Sequence, residues 1–160
     1  MPLALEAELR AELHAHGMPA GVRVFIKGRL DRVDERGGLV HVLDLKTGRV
    51  DESALRIKEL SLDALKGDKG YAAQLLVYAW LYLTLHPGVD EVRTGLLPLQ
   101  RSSGSDGSFL RIGDGDRIGR TDLGAITGLL SEVARTLLDP ATMFTHDPES
   151  AYCAFCVPQG

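Results

Sequence analysis

Two aspartates and a lysine lie in one short, charge-rich stretch of the chain: Asp31, Asp44 and Lys46. If the two aspartates face each other across paired strands, their Cβ atoms lie roughly 4.5–5.5 Å apart. Two carboxylates at that separation repel each other, and a divalent cation between them removes the repulsion. Oxygen ligands of this kind favour Mg²⁺ or Mn²⁺. Lys46 lies two residues beyond Asp44, on the same strand face, and is placed to reach a metal-bound water or a phosphate oxygen.

A β-hairpin is the element that must bring the two aspartates together. Residues 22–36 and 39–46 have strand-like patterns and flank Gly37-Gly38, a pair typical of a two-residue hairpin loop. That loop places Asp31 opposite Asp44, whereas a slip of one residue would move Asp31 to the other face. On geometry alone, the alternative is an exposed polar face that holds an ordinary ion pair. The apolar side chains of the other face point toward a core: Leu30, Leu43 and Leu45.

The rest of the chain mixes helical and strand patterns. Residues 3–16 repeat leucine every four positions and predict a short helix. Residues 71–85 are apolar nearly all round and predict a buried helix, and residues 122–138 predict a second long helix. Residues 89–99 predict a strand and residues 109–112 an edge strand. This mixture predicts the α/β class, as an α+β mixed sheet flanked by helices.

Length and composition narrow the functional classes. The 160 residues, 44% of them hydrophobic and 25% charged, fit one folded domain and exclude wholesale disorder. The net charge of −4 excludes a uniformly basic nucleic-acid coat but allows a local basic patch. No apolar run is long enough to span a membrane. The two cysteines do not supply a disulfide framework, so a cytoplasmic location under reducing conditions is expected.

The order of the motifs resembles the RecB-type branch of the PD-(D/E)xK nuclease superfamily, the nuclease domains of bacterial helicase–nuclease recombination machines. The resemblance rests on G-R-L-D-R-V-D at 28–34, D-L-K-T-G at 44–48 and Q-L-L-V-Y at 74–78. It covers residues 22–82 strongly and the remainder more loosely. It implies a restriction-endonuclease-like core in which a β-hairpin of a central mixed sheet carries the active site.

The resemblance also implies a role for each matched residue of the hairpin. Asp31 and Asp44 match the metal-binding carboxylates of the family. Leu45 sits where the family often adds a main-chain carbonyl ligand. Lys46 matches the catalytic lysine, which orients the attacking water or helps to deprotonate it. The chemistry is metal-assisted hydrolysis of a phosphodiester, in which the cation lowers the pKa of water and neutralises the charge of the transition state.

The helix motif supplies two more residues to the implied active site, Gln74 and Tyr78. They are four positions apart and therefore share one helix face. A glutamine in so apolar a helix needs a polar partner. The alternative for Tyr78 is an aromatic core stripe with Tyr71 and Tyr82.

Three weaker candidates surround this set. Many relatives carry a further acid ahead of the hairpin, and Glu6 best resembles it, although a solvated helix face is the alternative. Lys27 and Arg29 lie on the active face by strand alternation and are candidates for DNA contacts. A solvated mixed-charge strand is the alternative for these two cations.

The end of the sequence contains a second pattern, Cys153-x-x-Cys156. Some RecB-type nucleases hold an iron–sulfur cluster with four cysteines, and two cysteines cannot build that site. An iron–sulfur cluster is therefore not expected in this chain. Either the cluster was lost, or residues 1–160 are a single RecB-like domain from a longer helicase–nuclease polypeptide.

These observations together predict a Mg²⁺- or Mn²⁺-dependent DNA nuclease for recombination or repair, an exonuclease on single strands or ends. Its expected partners are DNA and a helicase subunit or fused helicase domain, without a membrane. The rival from another class is a non-catalytic DNA-binding or scaffolding module of a recombination complex. A third alternative is a phosphodiesterase of the same fold that acts on RNA.

Overall fold

A computed structural model of the chain describes residues 2–14, 17–48, 50–99 and 107–144. Within these residues a mixed sheet is flanked by two helices, which confirms the predicted α/β class and mixed sheet. The strands are β1 (Pro2–Leu13), β2 (Val24–Arg36), β3 (Leu39–Lys46), β4 (Arg56–Ile57), β5 (Glu91–Pro98), β6 (Ser108–Phe109), β7 (Arg111–Ile112) and β8 (Ile118–Gly119). The helices are α1 (Gly70–Leu85) and α2 (Leu123–Leu138), and short 3₁₀ turns span Glu52–Leu55, Asp63–Leu65 and Arg120–Asp122.

The sheet has the strand order β1-β2-β3-β5-β6, and β8 pairs with β5 beside β6. Strands β3 and β5 are parallel, whereas the other pairs of this sheet are antiparallel. A parallel pair needs a crossover connection, and α1 lies in the connection between β3 and β5. Strands β4 and β7 form a separate two-stranded parallel ribbon.

The hairpin of β2 and β3 has the predicted register. Arg36 pairs with Leu39 around a loop in which Gly37 and Gly38 have φ values of +59° and +79°. Such a loop requires positive φ at both positions, which glycine adopts without a steric penalty. The ladder runs as far as Arg32 and Leu43 and then stops.

The three leucines predicted to face the core have different surroundings. Leu30 is fully buried in the core cluster around α1, and Leu43 is buried outside that cluster. Leu45 is 36% exposed, so its prediction as a core residue is wrong. The physical reason is position, because Leu45 lies beyond the end of the β2–β3 ladder and pairs only with Leu97 of β5.

The predicted N-terminal helix over residues 3–16 is wrong, because this segment is strand β1. It pairs antiparallel with β2 from Pro2 to Leu13. Besides its leucines every four residues, the segment alternates apolar and polar side chains with a period of two. That alternation places Ala7, Leu9, Ala11 and Leu13 toward the core. The segment is a strand and not a helix because its backbone pairs with β2.

Helix α1 is the centre of the core, as its apolar sequence predicts. Its largest fully buried side chains include Leu75, Leu81 and Leu83, and it contacts β1, β2, β5 and α2. The strand predicted at 89–99 is β5, and the second long helix is α2. Among the described residues, no helix is long and apolar enough to cross a membrane. Cys153 and Cys156 lie outside the described residues.

Candidate active site

The site forms where strands β2 and β3 separate. Asp31 and Asp44 come one position after the last pair of the ladder, Arg32 and Leu43. Beyond that point the Leu45 N–H donates to Asp31 Oδ2 at 2.7 Å. The Asp31 carboxylate thus accepts the hydrogen bond of a strand amide, and this bond holds Asp31 at the point where β2 and β3 separate.

Asp44 is the centre of the polar cluster. It is 4% exposed, and side chains of α1 contact it. Gln74 Nε2 donates to Asp44 Oδ1 at 3.1 Å, and the Tyr78 hydroxyl donates to the same oxygen at 3.4 Å. The Lys46 ammonium lies 2.7 Å from Asp44 Oδ2. A buried carboxylate needs such partners, because an unpaired one would be strongly disfavoured.

The two helix residues support each other as well as Asp44. Gln74 Nε2 also donates to the Tyr78 hydroxyl oxygen at 2.8 Å. Tyr78 is 8% exposed, but its hydroxyl belongs to this polar cluster. Tyr82, by contrast, stacks on His86 with ring centroids 4.1 Å apart. The aromatic-stripe alternative for Tyr78 therefore does not describe its polar end.

Burial and neighbouring charges shift the titration of two groups at the site. Burial lowers the pKa of Lys46, but the hydrogen bond to Asp44 and its charge outweigh burial, so the pKa lies above its ordinary value. Burial raises the pKa of Tyr78, and the charges of Asp44 and Asp31 raise it further. Near neutral pH, Lys46 is therefore an ammonium and Tyr78 a neutral hydroxyl.

The donor set suits a hard divalent cation. Two carboxylates against one ammonium leave one negative charge in excess at Asp31, Asp44 and Lys46. Asp44 Oδ2 is buried, and the Lys46 ammonium is its charged neighbour at 2.7 Å. The second carboxylate, Asp31, is the one that a divalent cation would balance. Among the described residues, no group of three or more acids, histidines or cysteines is placed to hold a metal ion.

Glu6 lies on β1, not on a helix, and stands opposite Asp31 in the β1–β2 register, between the pairs Leu5–Arg32 and Ala7–Leu30. Its carboxylate pairs with Arg29 at 2.9 Å, and the Glu6 side chain is 72% exposed and that of Arg29 58%. The role of Glu6 as a further acid of the site stays a prediction.

Lys27 and Arg29 lie beside the site on β2. Both are exposed, and with Arg10 they line an open cavity of about 490 Å³ at Gly28. Gly28 itself touches the site, because a Cβ placed there would lie 3.1 Å from the Tyr78 ring. Among the described residues, that cavity is not lined by Asp31, Asp44 or Lys46, and Lys27 and Arg29 remain predicted DNA contacts.

Sequence reasoning missed the contributions of Tyr71 and Gly28. Lys46 Nζ lies 5.0 Å from the centroid of the Tyr71 ring, a cation–π distance. The sequence did indicate that Tyr71 lies at the site, since Tyr71, Gln74 and Tyr78 follow the i, i+3, i+7 spacing of one helix face. Gly28 belongs to the quoted motif, but its packing role appears only when α1 is placed on β2.

The geometry agrees with the comparisons with known proteins. The model of the PD-(D/E)XK nuclease superfamily matches residues 1–157. The chain therefore belongs to the PD-(D/E)XK nuclease superfamily, whose members are generally nucleases and typically use divalent metal ions. Membership also accounts for the fold, a central mixed sheet flanked by helices.

Other comparisons give weaker likenesses. Among curated proteins, none is similar enough to this chain to count as a relative. Among solved structures, the crystal structure of SSO0001 is similar, with a TM-score of 0.40 and 18% sequence identity. That match covers 88% of this chain and 61% of the other, so the chain spans less than two thirds of that protein's length.

Proposed function

We propose that this protein is a Mg²⁺- or Mn²⁺-dependent nuclease of RecB type that hydrolyses phosphodiester bonds in DNA, as an exonuclease on single strands or ends. The observation that carries the proposal is the convergence on one buried carboxylate, Asp44. Lys46, Gln74 and Tyr78 all contact it, and Asp31 lies at the same strand opening. A sheet built for stability alone has no need to bury this charged cluster, because apolar side chains of similar size pack at least as well.

Asp31 and Asp44, with the main-chain carbonyl of Leu45, are the groups that would hold the divalent cation. Such a cation, when bound, polarises a phosphoryl oxygen and makes water a better nucleophile at neutral pH. Lys46 donates a hydrogen bond to a phosphate oxygen or orients the attacking water. Gln74 acts as a positioning residue, since its amide fixes Oδ1 of Asp44 while the Lys46 ammonium lies beside Oδ2.

The test measures metal binding and cleavage separately. Mn²⁺ binding is measured by calorimetry, and cleavage is followed on end-labelled single-stranded DNA, for the parent protein, Asp44→Asn and Lys46→Ala. Asp63→Asn is the matched control, because it removes one carboxylate charge from a site where the side chain is 87% exposed and pairs with Lys66.

The expected results differ among these variants. Asp44→Asn loses both Mn²⁺ binding and cleavage. Lys46→Ala keeps Mn²⁺ binding but cleaves about 10²–10³-fold more slowly, the usual loss for a donor to developing charge. Asp63→Asn behaves as the parent. Cleavage by purified Asp44→Asn at the parental rate would refute the assignment.

One observation favours the second candidate, a non-catalytic DNA-binding or scaffolding module. Among the described residues, the cluster has two carboxylates and no third acid joins them. A module of this kind binds DNA but neither binds Mn²⁺ at Asp31 and Asp44 nor cuts. The same titration and the same labelled strand therefore separate the two candidates. A labelled RNA of the same sequence tests the alternative RNA phosphodiesterase.

We also propose the setting in which the chain acts. The motif order supports one RecB-like nuclease domain over residues 1–160 that works in recombination or repair with a helicase subunit or a fused helicase domain. The cysteine usage supports a cytoplasmic location. An iron–sulfur cluster remains unexpected, since the sequence has two cysteines.

A further inference from the structure

A second cluster of charged residues lies on the sheet face opposite the proposed active site. Asp44 pairs with Leu96 of β5, and His41 pairs with Arg93, three residues earlier on both strands. Successive side chains of a strand alternate between faces, so His41 and Arg93 point away from the face of Asp44 and α1. Phe109 of β6 packs on this second face, with its ring 3.7 Å below the Arg93 guanidinium.

Two further arginines lie near Arg93 and Phe109. Arg56 of β4 and Arg111 of β7 are direct neighbours in the register of the parallel ribbon. Their strand neighbours Ile57 and Ile112 face the core, so both arginines point outward. Both are exposed. Like charges in adjacent register positions destabilise a sheet unless something compensates for them.

The arginines line one open cavity of about 220 Å³, together with Phe109 and two acids, Glu52 and Asp116. Asp116 pairs with Arg93 at 2.6 Å. Among the described residues, neither Arg56 nor Arg111 has an acidic side chain at ion-pair distance, and Arg111 reaches only a main-chain carbonyl, at 3.5 Å. Nε of Arg93 is buried and has no hydrogen-bond partner in the described part of the chain.

We propose that Arg56, Arg93 and Arg111 form a phosphate-binding site that holds the backbone of a nucleic acid on the sheet face opposite the proposed active site. A phosphate between Arg56 and Arg111 relieves their repulsion and accepts hydrogen bonds from both guanidinium groups. The exposure of these two arginines favours a phosphate that remains part of a polymer over a small ligand enclosed in the fold. The site goes beyond the proposed cleavage site, because it holds the strand without cutting it.

The experiment measures binding in EDTA, where no cleavage occurs, so its result does not depend on whether the protein is a nuclease. A fluorescent single-stranded oligonucleotide is titrated with the parent protein, the double variant Arg56→Gln/Arg111→Gln, and Lys58→Gln. Lys58 is the matched control for each substitution, because it is an exposed cation directly after β4 that does not line the cavity. The titration is repeated over a range of salt concentrations, and inorganic phosphate is titrated separately.

The double variant is expected to bind the oligonucleotide about tenfold more weakly than the parent. The slope of log affinity against log salt should fall by about 0.7 for each phosphate that the variant no longer neutralises. Lys58→Gln should keep the parental affinity and slope. Circular dichroism and the thermal midpoint establish that each variant is folded.

Two results would overturn the proposal. One is an affinity and salt slope for the double variant that equal those of Lys58→Gln. The other is binding of inorganic phosphate that the double substitution removes while oligonucleotide binding is unchanged, which would assign the site to free phosphate.

Discussion

Gly28 lies so near α1 that there is no room for a larger side chain, and this leads to a specific prediction. A Cβ at position 28 would lie 2.8 Å from Leu81 Cδ1 and 3.1 Å from Tyr78 Cε1. To restore ordinary contacts of 3.4 Å, the Leu81 methyl must move by about 0.6 Å and the Tyr78 ring by about 0.3 Å. We expect Gly28→Ala to lower the free energy of unfolding by about 1–3 kcal/mol, as overpacking usually does.

The effect on cleavage follows from the Tyr78 hydroxyl. Its hydrogen bond to Asp44 is already long at 3.4 Å, so a shift of a few tenths of an ångström breaks it. A hydrogen bond to a charged group contributes about 1.5 kcal/mol at the weak end of its range. Loss of that contribution in the transition state corresponds to about a tenfold slower cleavage. We therefore expect folded Gly28→Ala protein to cleave end-labelled DNA about tenfold more slowly than the parent.

The control is an equally tight glycine on the other face of the sheet. A Cβ at Gly95 would lie 2.7 Å from Phe109 Cδ1 and 2.8 Å from the main-chain oxygen of Ser108. Gly95→Ala should therefore lose stability at least as much, but should keep the parental cleavage rate per folded molecule at saturating DNA, where a weaker hold on the strand through the cavity that Phe109 lines does not limit the rate. A double-mutant cycle with Tyr78→Phe completes the test, because Gly28→Ala should add no further loss of cleavage in that background. Full activity of Gly28→Ala, or an equal loss in Gly95→Ala, would refute the reasoning.

Three further predictions concern stability and pH. Burial raises the pKa of Asp34, but hydrogen bonds from Arg32 and Arg36 outweigh burial and hold it below its ordinary value. As the pH falls through about 4, Asp34 is therefore protonated in the unfolded state before it is protonated in the folded state, and the free energy of unfolding decreases. In urea titrations, Asp34→Ala should make the free energy of unfolding less dependent on pH in this range. Burial lowers the pKa of His41, so stability should also decline as the pH falls below about 6.5, and His41→Gln should remove that part of the slope. Asp31→Ala should lower the free energy of unfolding by about 1 kcal/mol because it leaves a strand amide unpaired, whereas Asp31→Asn should keep stability but lose Mn²⁺ binding in calorimetry.

The hairpin was predictable because its determinants are local. Gly37 and Gly38 select a two-residue loop, and the loop fixes the register of every later pair. The buried helix was predictable for a similar reason, since its apolar surface is continuous along the sequence. Within the hairpin, the prediction that Leu45 is a core residue was wrong because the β2–β3 ladder ends before it. The point at which two strands separate depends on the whole sheet and not on the hairpin sequence alone.

The N-terminal strand was not predictable from its leucines, because these satisfy both a helical and a strand pattern. The choice between the two depends on β2, which supplies the hydrogen-bonding partners for β1. The arginine cluster on the second face was hidden for a related reason. Arg56 and Arg111 become neighbours only through the pairing of β4 with β7, which are far apart in sequence. No periodicity within either segment indicates that they meet.

The candidate site combines two features that are unfavourable for stability, a buried carboxylate and a glutamine in an apolar helix. Asp44 is a carboxylate that is only 4% exposed, and it is held there by polar side chains of α1 and by Lys46. Gln74 interrupts a helix that is otherwise apolar, and its amide is used by Asp44 and Tyr78. Each feature alone reduces stability relative to apolar packing. Gln74 and Tyr78 hold one oxygen of Asp44 and the Lys46 ammonium lies beside the other, yet Asp31 adds a second carboxylate at the same strand opening. That excess of one carboxylate over the ammonium, with three polar side chains gathered on one buried aspartate, favours a metal-dependent active site over a single structural ion pair.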